Sequence, residues 1–380
     1  MSKVYVTIKF PARYHKMSYD EFLSGKAKYG KTGSGRSATL TRGLDKLPSR
    51  LNNRFYIQRL IFNLNAFNEK YSHLFNKDRE SLYREFCIPK KSGGMRTIDA
   101  PISTLMNALG ELKGILEDDF HALYHTSAFA YVKGRNTVSC MKKHQQNKSN
   151  WFAKFDLSDF FGSVTANFVL DMLGKIYPFS EVLKVREGKI SLSRALSLAF
   201  LRGGLPQGSP VSPTITNIIM IPIDFELTKK LRSLQNNKFI YTRYADDILV
   251  SSKYGFNVMD IENIIRETFA EFKAPFKIND KKTRYGSASG RNWNLGLMLT
   301  GDYRITVGRK NKNKLKAMLS SFAMDLKNGV TWPMEKIQKM DGVRSYCAMV
   351  EPDSINGIVE HLNKKFEINI QNEICSVLSQ

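Results

Sequence analysis

The sequence predicts an α+β fold, an antiparallel sheet with acidic residues at its strand ends and helices packed around it. Three observations predict it. In YTRYADDILV, from Tyr241 to Val250, the apolar, β-prone runs Phe239-Ile240-Tyr241 and Ile248-Leu249-Val250 flank Asp246 and Asp247, the pattern of a hairpin with acids at its turn. In WFAKFDLSDFFGSV an apolar strand ends at Asp156. Between the two, GGLPQGSPVSPTITN is a glycine and proline turn that opens a long apolar segment. An acid doublet at a strand turn is placed to hold a divalent cation, because hard cations take oxygen ligands from a rigid backbone. Context separates this doublet from Asp118-Asp119. That pair lies in LMNALGELKGILEDDFHALY, whose helical spacing makes it a solvated helix face.

Composition bounds the class. The 380 residues suffice for one large domain with an appendage, or about two to three small ones, and 42% hydrophobic content supplies a sizeable core. Lys and Arg number 58 against 35 Asp and Glu, a net charge of +23. Such an excess points to a polyanionic partner and, with the motifs, to nucleic acid; a merely soluble basic protein is the alternative. Cys87, Cys140, Cys347 and Cys375 are scattered, with no Cys-x-x-Cys or His-x-x-x-His spacing. That argues against a structural zinc and suits a reducing cytoplasm. No apolar run reaches about 18 residues, so no membrane span is expected. The start, MSKVYVTIKFPARYHKM, lacks the apolar block of a signal peptide.

The elements follow in order. Met1 to Arg50 is a basic extension rich in Gly, Ser and Lys. Gly25 to Thr32 fits the phosphate-loop pattern letter for letter, but that motif needs a strand before it and a helix after it. Here MSYDEFLS is polar and GSGRS is flexible, which leaves a mobile basic arm on phosphates or a plain flexible terminus. Leu51 to His73 has a helical pattern. SLYREFCIPKKSGGMRTIDAP reads as two strands around Gly93-Gly94, carrying Lys90, Lys91 and Arg96. Ile102 to Tyr124 reads as one amphipathic helix, and Ser180 to Leu201 as a basic helical insertion. TNIIMIPIDFELTKKL is a helix packed behind the sheet, and Asp260 to Phe272 an amphipathic one. From Thr306 the character changes. GRKNKNKLKAMLSSFAMDL puts Leu315, Leu319, Phe322 and Leu326 on one helical face, with Arg309, Lys310, Lys312, Lys314 and Lys316 crowding its start. The remainder is helical with breaks near Pro333, Gly342 and Pro352.

Strand-Asp156, then the Gln207-Gly208 turn, then Tyr244-Ala245-Asp246-Asp247, in this order, resembles the palm of reverse transcriptases over roughly Phe86 to Gly296. YTRYADD and LPQGSPVSP resemble the bacterial retron lineage and its relatives, the defence-associated enzymes that guard bacteria against phage. The resemblance implies a right-hand polymerase with fingers, a palm on an antiparallel sheet and a small helical thumb. Residues 1–50 would be the extension, 51–300 fingers and palm (palm mainly 151–176 and 205–300), and 301–380 the thumb. It implies an RNA-directed DNA polymerase that adds deoxynucleotides to a 3′-hydroxyl. Two Mg2+ ions, with Mn2+ as a substitute, would sit on Asp156, Asp246 and Asp247, the last tuning the site more than ligating. Lys90 and Arg96 match the basic residues that clamp the triphosphate. Phe161 matches the aromatic gate that excludes a 2′-hydroxyl. Gln207 would meet nucleotide and template base, and Gly208 would let backbone approach the template. Lys282 would meet phosphate or protonate pyrophosphate. Gly134-Arg135 would lie against the template or the fingers core. Trp293 to Leu297, with Gly296, resembles the primer-grip turn, and Arg309, Lys310 and Lys314 would lay a basic face on the template–primer duplex.

Each assignment has a plainer reading beside it. Lys90 and Arg96 read as ordinary hairpin charge, Phe160 and Phe161 as core, and Gln207-Gly208 as a turn entering a helix. Lys282 and the basic helix read as solvated surface, Asp159 as a turn residue and His144 as a structural one. Two signatures depart from the retron pattern. An Asn-Ala-x-x-His signature survives only as His144 in the stretch from Cys140, and Val-Thr-Gly is replaced by Asn294-Leu295-Gly296. These departures favour the defence-associated relatives over a true retron enzyme making a branched RNA–DNA hybrid. The implied partners are a noncoding RNA template, a DNA primer or product and deoxynucleotides. A second defence protein or polymerase and a homo-oligomer are further candidates, with no membrane and a cytoplasmic location. Untemplated or protein-primed synthesis, RNA-copying RNA synthesis and an RNA-binding scaffold are the rivals. Phe161 speaks against RNA synthesis, and intact Asp156, Asp246 and Asp247 speak against the scaffold.

Overall fold

The computed structural model describes residues 50–89, 93–117, 124–234, 238–287 and 293–379. The basic extension, its Gly25–Thr32 stretch, Lys90, Lys91 and the Asp118-Asp119 doublet lie outside the described residues. The chain divides into two compact units, residues 1–135, 154–250 and 257–284, and residues 136–153, 251–256 and 285–380. The division therefore does not follow the expected line at residue 300.

In the first unit, α1 (Arg50–Lys70) and the single turn α2 (Ser72–Phe75) precede the hairpin of β1 (Tyr83–Pro89) and β2 (Met95–Pro101). Leu60, Ile61, Leu64 and Phe67 bury one face of α1, the spacing a helix requires. The hairpin pairs Tyr83 with Pro101 and Pro89 with Met95. Gly93 (φ 87°) and Gly94 (φ 79°) both adopt the left-handed backbone that a tight turn demands. Phe86, Ile88 and Met95 stay exposed on it. The helix expected from Ile102 is α3 (Ser103–Glu117). The basic helical insertion expected from Ser180 consists of two helices, α6 (Phe179–Val182) and α7 (Arg186–Ser197), after α5 (Ala166–Leu173). β-branched Val185 is extended (ψ 125°) and separates them.

The sheet that carries the acids is built from β3 (Trp151–Ser158), β4 (Ile240–Tyr244), β5 (Asp247–Ser252) and β6 (Lys277–Ile278), in the order β4-β5-β3-β6, with β7 (Arg284–Ser287) also on β3. β3 and β6 run antiparallel, Leu157 opposite Ile278. Behind it, α8 (Ser212–Ser233) is buried almost all round and packs on β4 and on α9 (Val258–Glu271). That explains its continuous apolar run. One charged cluster interrupts this core. Arg243 and Asp224 are fully buried and paired, Nε to Oδ1 at 2.9 Å and Nη2 to Oδ2 at 2.8 Å. Tyr241 Oη donates to the same carboxylate at 2.6 Å, and Arg243 Nη1 donates to Asn217 Oδ1 at 3.2 Å.

In the second unit α4 (Thr137–Gln146) packs on β9 (Leu297–Leu299) and β10 (Ile305–Thr306) of a small sheet that begins with β8 (Trp293–Asn294). This packing draws α4 into the same unit as the C-terminal helices. His144 on α4 is buried, and its Nδ1 and Ser251 Oγ share a hydrogen bond of 2.5 Å; Ser251 Oγ donates to Ser149 Oγ at 2.8 Å. Burial pushes its imidazole down to about 3, with Lys143 adding, so His144 is a neutral structural residue. Four helices follow: α10 (Arg309–Lys327), α11 (Met334–Val350), α12 (Pro352–Phe366) and α13 (Ile370–Leu378). Pro333 and Pro352 mark helix starts as expected, but α11 runs straight through Gly342. An interior glycine costs a helix only about 1 kcal/mol, so tertiary packing overrides it. Leu315, Leu319 and Phe322 are buried as read, and Leu326 is half-buried. Glu351 locks the start of α10, accepting from Thr306 Oγ1 (2.6 Å), Val307 N (2.9 Å) and Lys312 Nζ (3.0 Å). Among the described residues no helix is long and apolar enough to cross a membrane.

Candidate active site

β3, β5 and the turn before β5 bring the three acids to one end of the sheet. Leu157 N donates to Asp246 O at 3.0 Å, which sets Asp156 beside the Ala245-Asp246 turn. Ala245 takes φ 55°, a left-handed position that tightens the turn and aims both acids. Asn279 N donates to Asp156 O at 2.8 Å, so the end of β3 is fixed from both sides. Asp246 is half-buried. Its carboxyl is raised above the usual range by burial first, then by the charge of Asp247, with Asp156 adding; a hydrogen bond from its own backbone and Lys282 work the other way. The three carboxylates thus share one field.

Two lysines answer it. Lys282 Nζ donates to both oxygens of Asp156, at 3.1 and 3.0 Å, and Lys154 Nζ lies 2.9 Å from Asp247 Oδ1. Among the described residues no three His, Cys, Asp or Glu side chains converge as a ready-made ligand group. The donor set is nonetheless all carboxylate, the chemistry a hard divalent ion takes, and an ammonium already lies across both oxygens of Asp156 as a cation would. The residues fit such an ion.

Around the acids, Phe160 is core, 3% exposed and packed on Phe276, whereas Phe161 is only half-buried, its ring 5.4 Å from Phe160 and 6.5 Å from Tyr131. Phe161 O accepts from Leu205 N at 3.1 Å. A β-carbon on Gly204 would lie 2.1 Å from Gly162 O, so glycine is required where the Gln207 loop crosses the Phe161-Gly162 turn. Asp159 is exposed in that turn (φ 45°), where its carbonyl accepts from Ser163 N. Gln207 O accepts from Asp99 N at 2.8 Å, and Arg202 reaches Glu80 (3.2 Å), Glu85 (3.3 Å) and Asp99 (3.2 Å), fastening the β1–β2 hairpin to this loop. Arg96 stands exposed on β2 opposite Ile88.

Three of the expected residues have partners or tasks within the chain itself. Glycine is needed at 208 because a β-carbon would lie 2.7 Å from Asp99 O, a close approach to β2. Arg135 spends its guanidinium on its own chain. Nη1 donates to His125 O at 2.6 Å and to Ala128 O, Nη2 donates to Tyr124 O, and burial lowers its pKa. It braces a loop. Gly296 serves a two-residue turn in which Leu295 (φ 56°) and Gly296 (φ 77°) are both left-handed, between the paired residues Asn294 and Leu297. In the second unit Arg309, Lys310 and Lys314 are exposed on the first turns of α10, while Lys312 is held by Glu351. Sequence reasoning missed Tyr131 and Lys154; the apolar alternation of β3 placed Lys154 on the same face as Asp156 and was the available signal for it.

A model of the reverse transcriptase (RNA-dependent DNA polymerase) family matches residues 88–344, more than half of the chain. The chain is 31% identical over 286 residues to the retron Ec73 reverse transcriptase of Escherichia coli, covering 74% of this chain and 86% of that one. It is 26% identical over 303 residues to the retron Ec83 reverse transcriptase of the same organism, covering 75% and 86%. Among solved structures it is similar to a telomerase from Candida albicans in complex with a fragment of telomeric RNA, at 16% identity and a TM-score of 0.46, covering 82% of this chain and 62% of that one. Family match and the order of its acids, loop and hairpin agree: the chain belongs to the reverse transcriptase family, a retron-like, right-hand, RNA-directed DNA polymerase.

Proposed function

We propose that this polymerase copies a noncoding RNA into DNA in bacterial antiphage defence, using Asp156 and Asp246 to hold two Mg2+ ions and Asp247 to tune them. The observation that carries the catalytic part is the shared field of the three carboxylates at the Ala245-Asp246 turn, which makes the charge of Asp246 costlier to hold than that of an isolated carboxylate and which a cation would relieve. Bound divalent ions lower the pKa of an attacking hydroxyl and neutralise leaving oxygens. The chain's own groups supply the rest. Phe161 walls the sugar pocket and bars a 2′-hydroxyl, Gln207 meets the nucleotide, and Arg96 and Lys90 neutralise the triphosphate. Lys282, already a donor to Asp156, is placed to pass a hydrogen bond to departing pyrophosphate. Arg309, Lys310, Lys314 and the turn at Gly296 serve the template–primer duplex. The fingers and palm, on this reading, take 51–300 and the thumb 301–380, in the cytoplasm.

The departures at Cys140–Lys143 and Asn294-Leu295 favour the defence setting. A second reading, a retron enzyme, is favoured by the 31% identity to the retron Ec73 protein. The test is to purify the chain from its host and sequence the nucleic acid bound to it, beside an Asp246→Ala, Asp247→Ala form. The expected outcome is RNA on both and new DNA on the wild type alone. DNA on the double variant, or no RNA on either, overturns the proposal; a branched RNA–DNA product selects the retron reading.

A further inference from the structure

Tyr131 is 55% exposed, and its φ of 58° lies in the left-handed region. A bulky side chain there is strained and persists only where the surroundings over-determine it. They do. Arg243 N donates to Ser127 O (2.6 Å) and Phe129 N to Arg243 O (2.9 Å), so residues 127–129 pair with β4. Asn217 Nδ2 donates to Ala130 O at 2.8 Å, and Arg135 Nη1 to Ala128 O. The buried Arg243–Asp224–Asn217 cluster therefore fixes Tyr131 and the strand leading to Asp246 as one body.

What this support presents is an open aromatic ring beside the acids. The ring stands 6.5 Å from that of Phe161, tilted by 59°. Its hydroxyl is raised by burial first, then by the charges of Asp246 and Tyr244, and lowered by Arg96, so it lies within electrostatic reach of both the acids and the triphosphate clamp. It stays protonated, a donor at neutral pH. A ring needed only for packing would be covered; this one is held out at a cost in backbone strain.

We propose that Tyr131 is a nucleotide-contact residue, its ring forming with Phe161 an aromatic corner against the sugar of the incoming nucleotide and its hydroxyl donating to an oxygen of that nucleotide. The inference rests on the polymerase reading above. It makes the pocket two-walled, Phe161 deciding which sugar enters and Tyr131 how tightly either sugar is held.

The test is single-nucleotide extension of a DNA primer on an RNA template by the full chain, comparing wild type, Tyr131→Phe, Tyr131→Ala and Phe161→Ala. Tyr131→Ala is expected to raise the KM for deoxynucleotide roughly tenfold, the scale of one lost stacking contact, with template–primer Kd unmoved. Tyr131→Phe is expected to raise it about threefold, the scale of one hydrogen bond. Phe161→Ala admits ribonucleotides, whereas Tyr131→Ala weakens both sugars alike. Wild-type KM in both Tyr131 variants, or a loss seen only in template–primer Kd, overturns the inference while leaving the polymerase standing. A wild type that extends no primer takes down the polymerase reading and this inference together. If Tyr131→Ala does not fold, Tyr131→Phe decides.

Discussion

Asp246 sits where ionisation is costly, because burial, then Asp247, then Asp156 all oppose its charge. With its folded pKa above the ordinary 3.8, stability is fullest below that value and is lost as pH rises through the folded value. Asp246→Asn should therefore melt higher than wild type at neutral pH, by on the order of 1 °C for each 1 kcal/mol relieved in a chain of this size. The gain should vanish at low pH, and polymerase activity should be lost throughout. Thermal melts across a pH series check this, and an unchanged melting point at pH 7 removes the electrostatic account. An acid at a turn alone is commonplace, but the three acids were legible in the sequence because strand-Asp156, the Gln207-Gly208 turn and the Asp246-Asp247 doublet occur together and in order. Arg135 was not. Its partners are backbone carbonyls of its own loop, and no residue type at a distance announces them. Tyr131 was hidden for a related reason, since nothing in AFAYVKGRN shows that β4 will hold it against Phe161.

At the scale of elements, β4 was read as one arm of a hairpin, and Arg243 within it went unremarked. It proves to be wholly buried, tying α8, β4 and residues 127–129 together through Asp224 and Asn217. Replacing one member of a buried pair leaves the other uncompensated, which costs about 3–5 kcal/mol. Arg243→Leu is expected to lose that much in urea unfolding, and pairing it with Asp224→Leu should recover a good part. A loss under 1 kcal/mol would mean that the carboxylate finds another partner. Hydrophobic periodicity located the longer helices and the strands β3, β4 and β5, and left the shorter α4 and α5 unread. It failed at Gly342, where a glycine taken for a break lies inside α11.

For the whole molecule, part of the excess of positive charge gathers at the start of α10. Arg309 and Lys310 occupy its first turn, where the helix dipole disfavours cations. Their placement does not serve the helix, so they are free to serve a polyanion. Arg309→Glu, Lys310→Glu, Lys314→Glu is expected to leave the melting point unchanged or slightly higher. Template–primer affinity at moderate salt should fall by at least about tenfold, with a shallower dependence on salt. Unchanged affinity in a binding titration would place the duplex elsewhere. The fold class and its order of motifs could be read from the chain; the partition into units could not. The second unit recruits α4, which packs on β9 and β10, and the outer ends of β3 and β5.

On the proposed reading, a divalent ion at Asp156 would have to displace the ammonium that lies across both its oxygens. A tethered ammonium would be an internal competitor at an effective concentration that dilution cannot change. The ion would then be held more weakly than by the carboxylate alone, and the displaced side chain would gain its liberty as the ion binds.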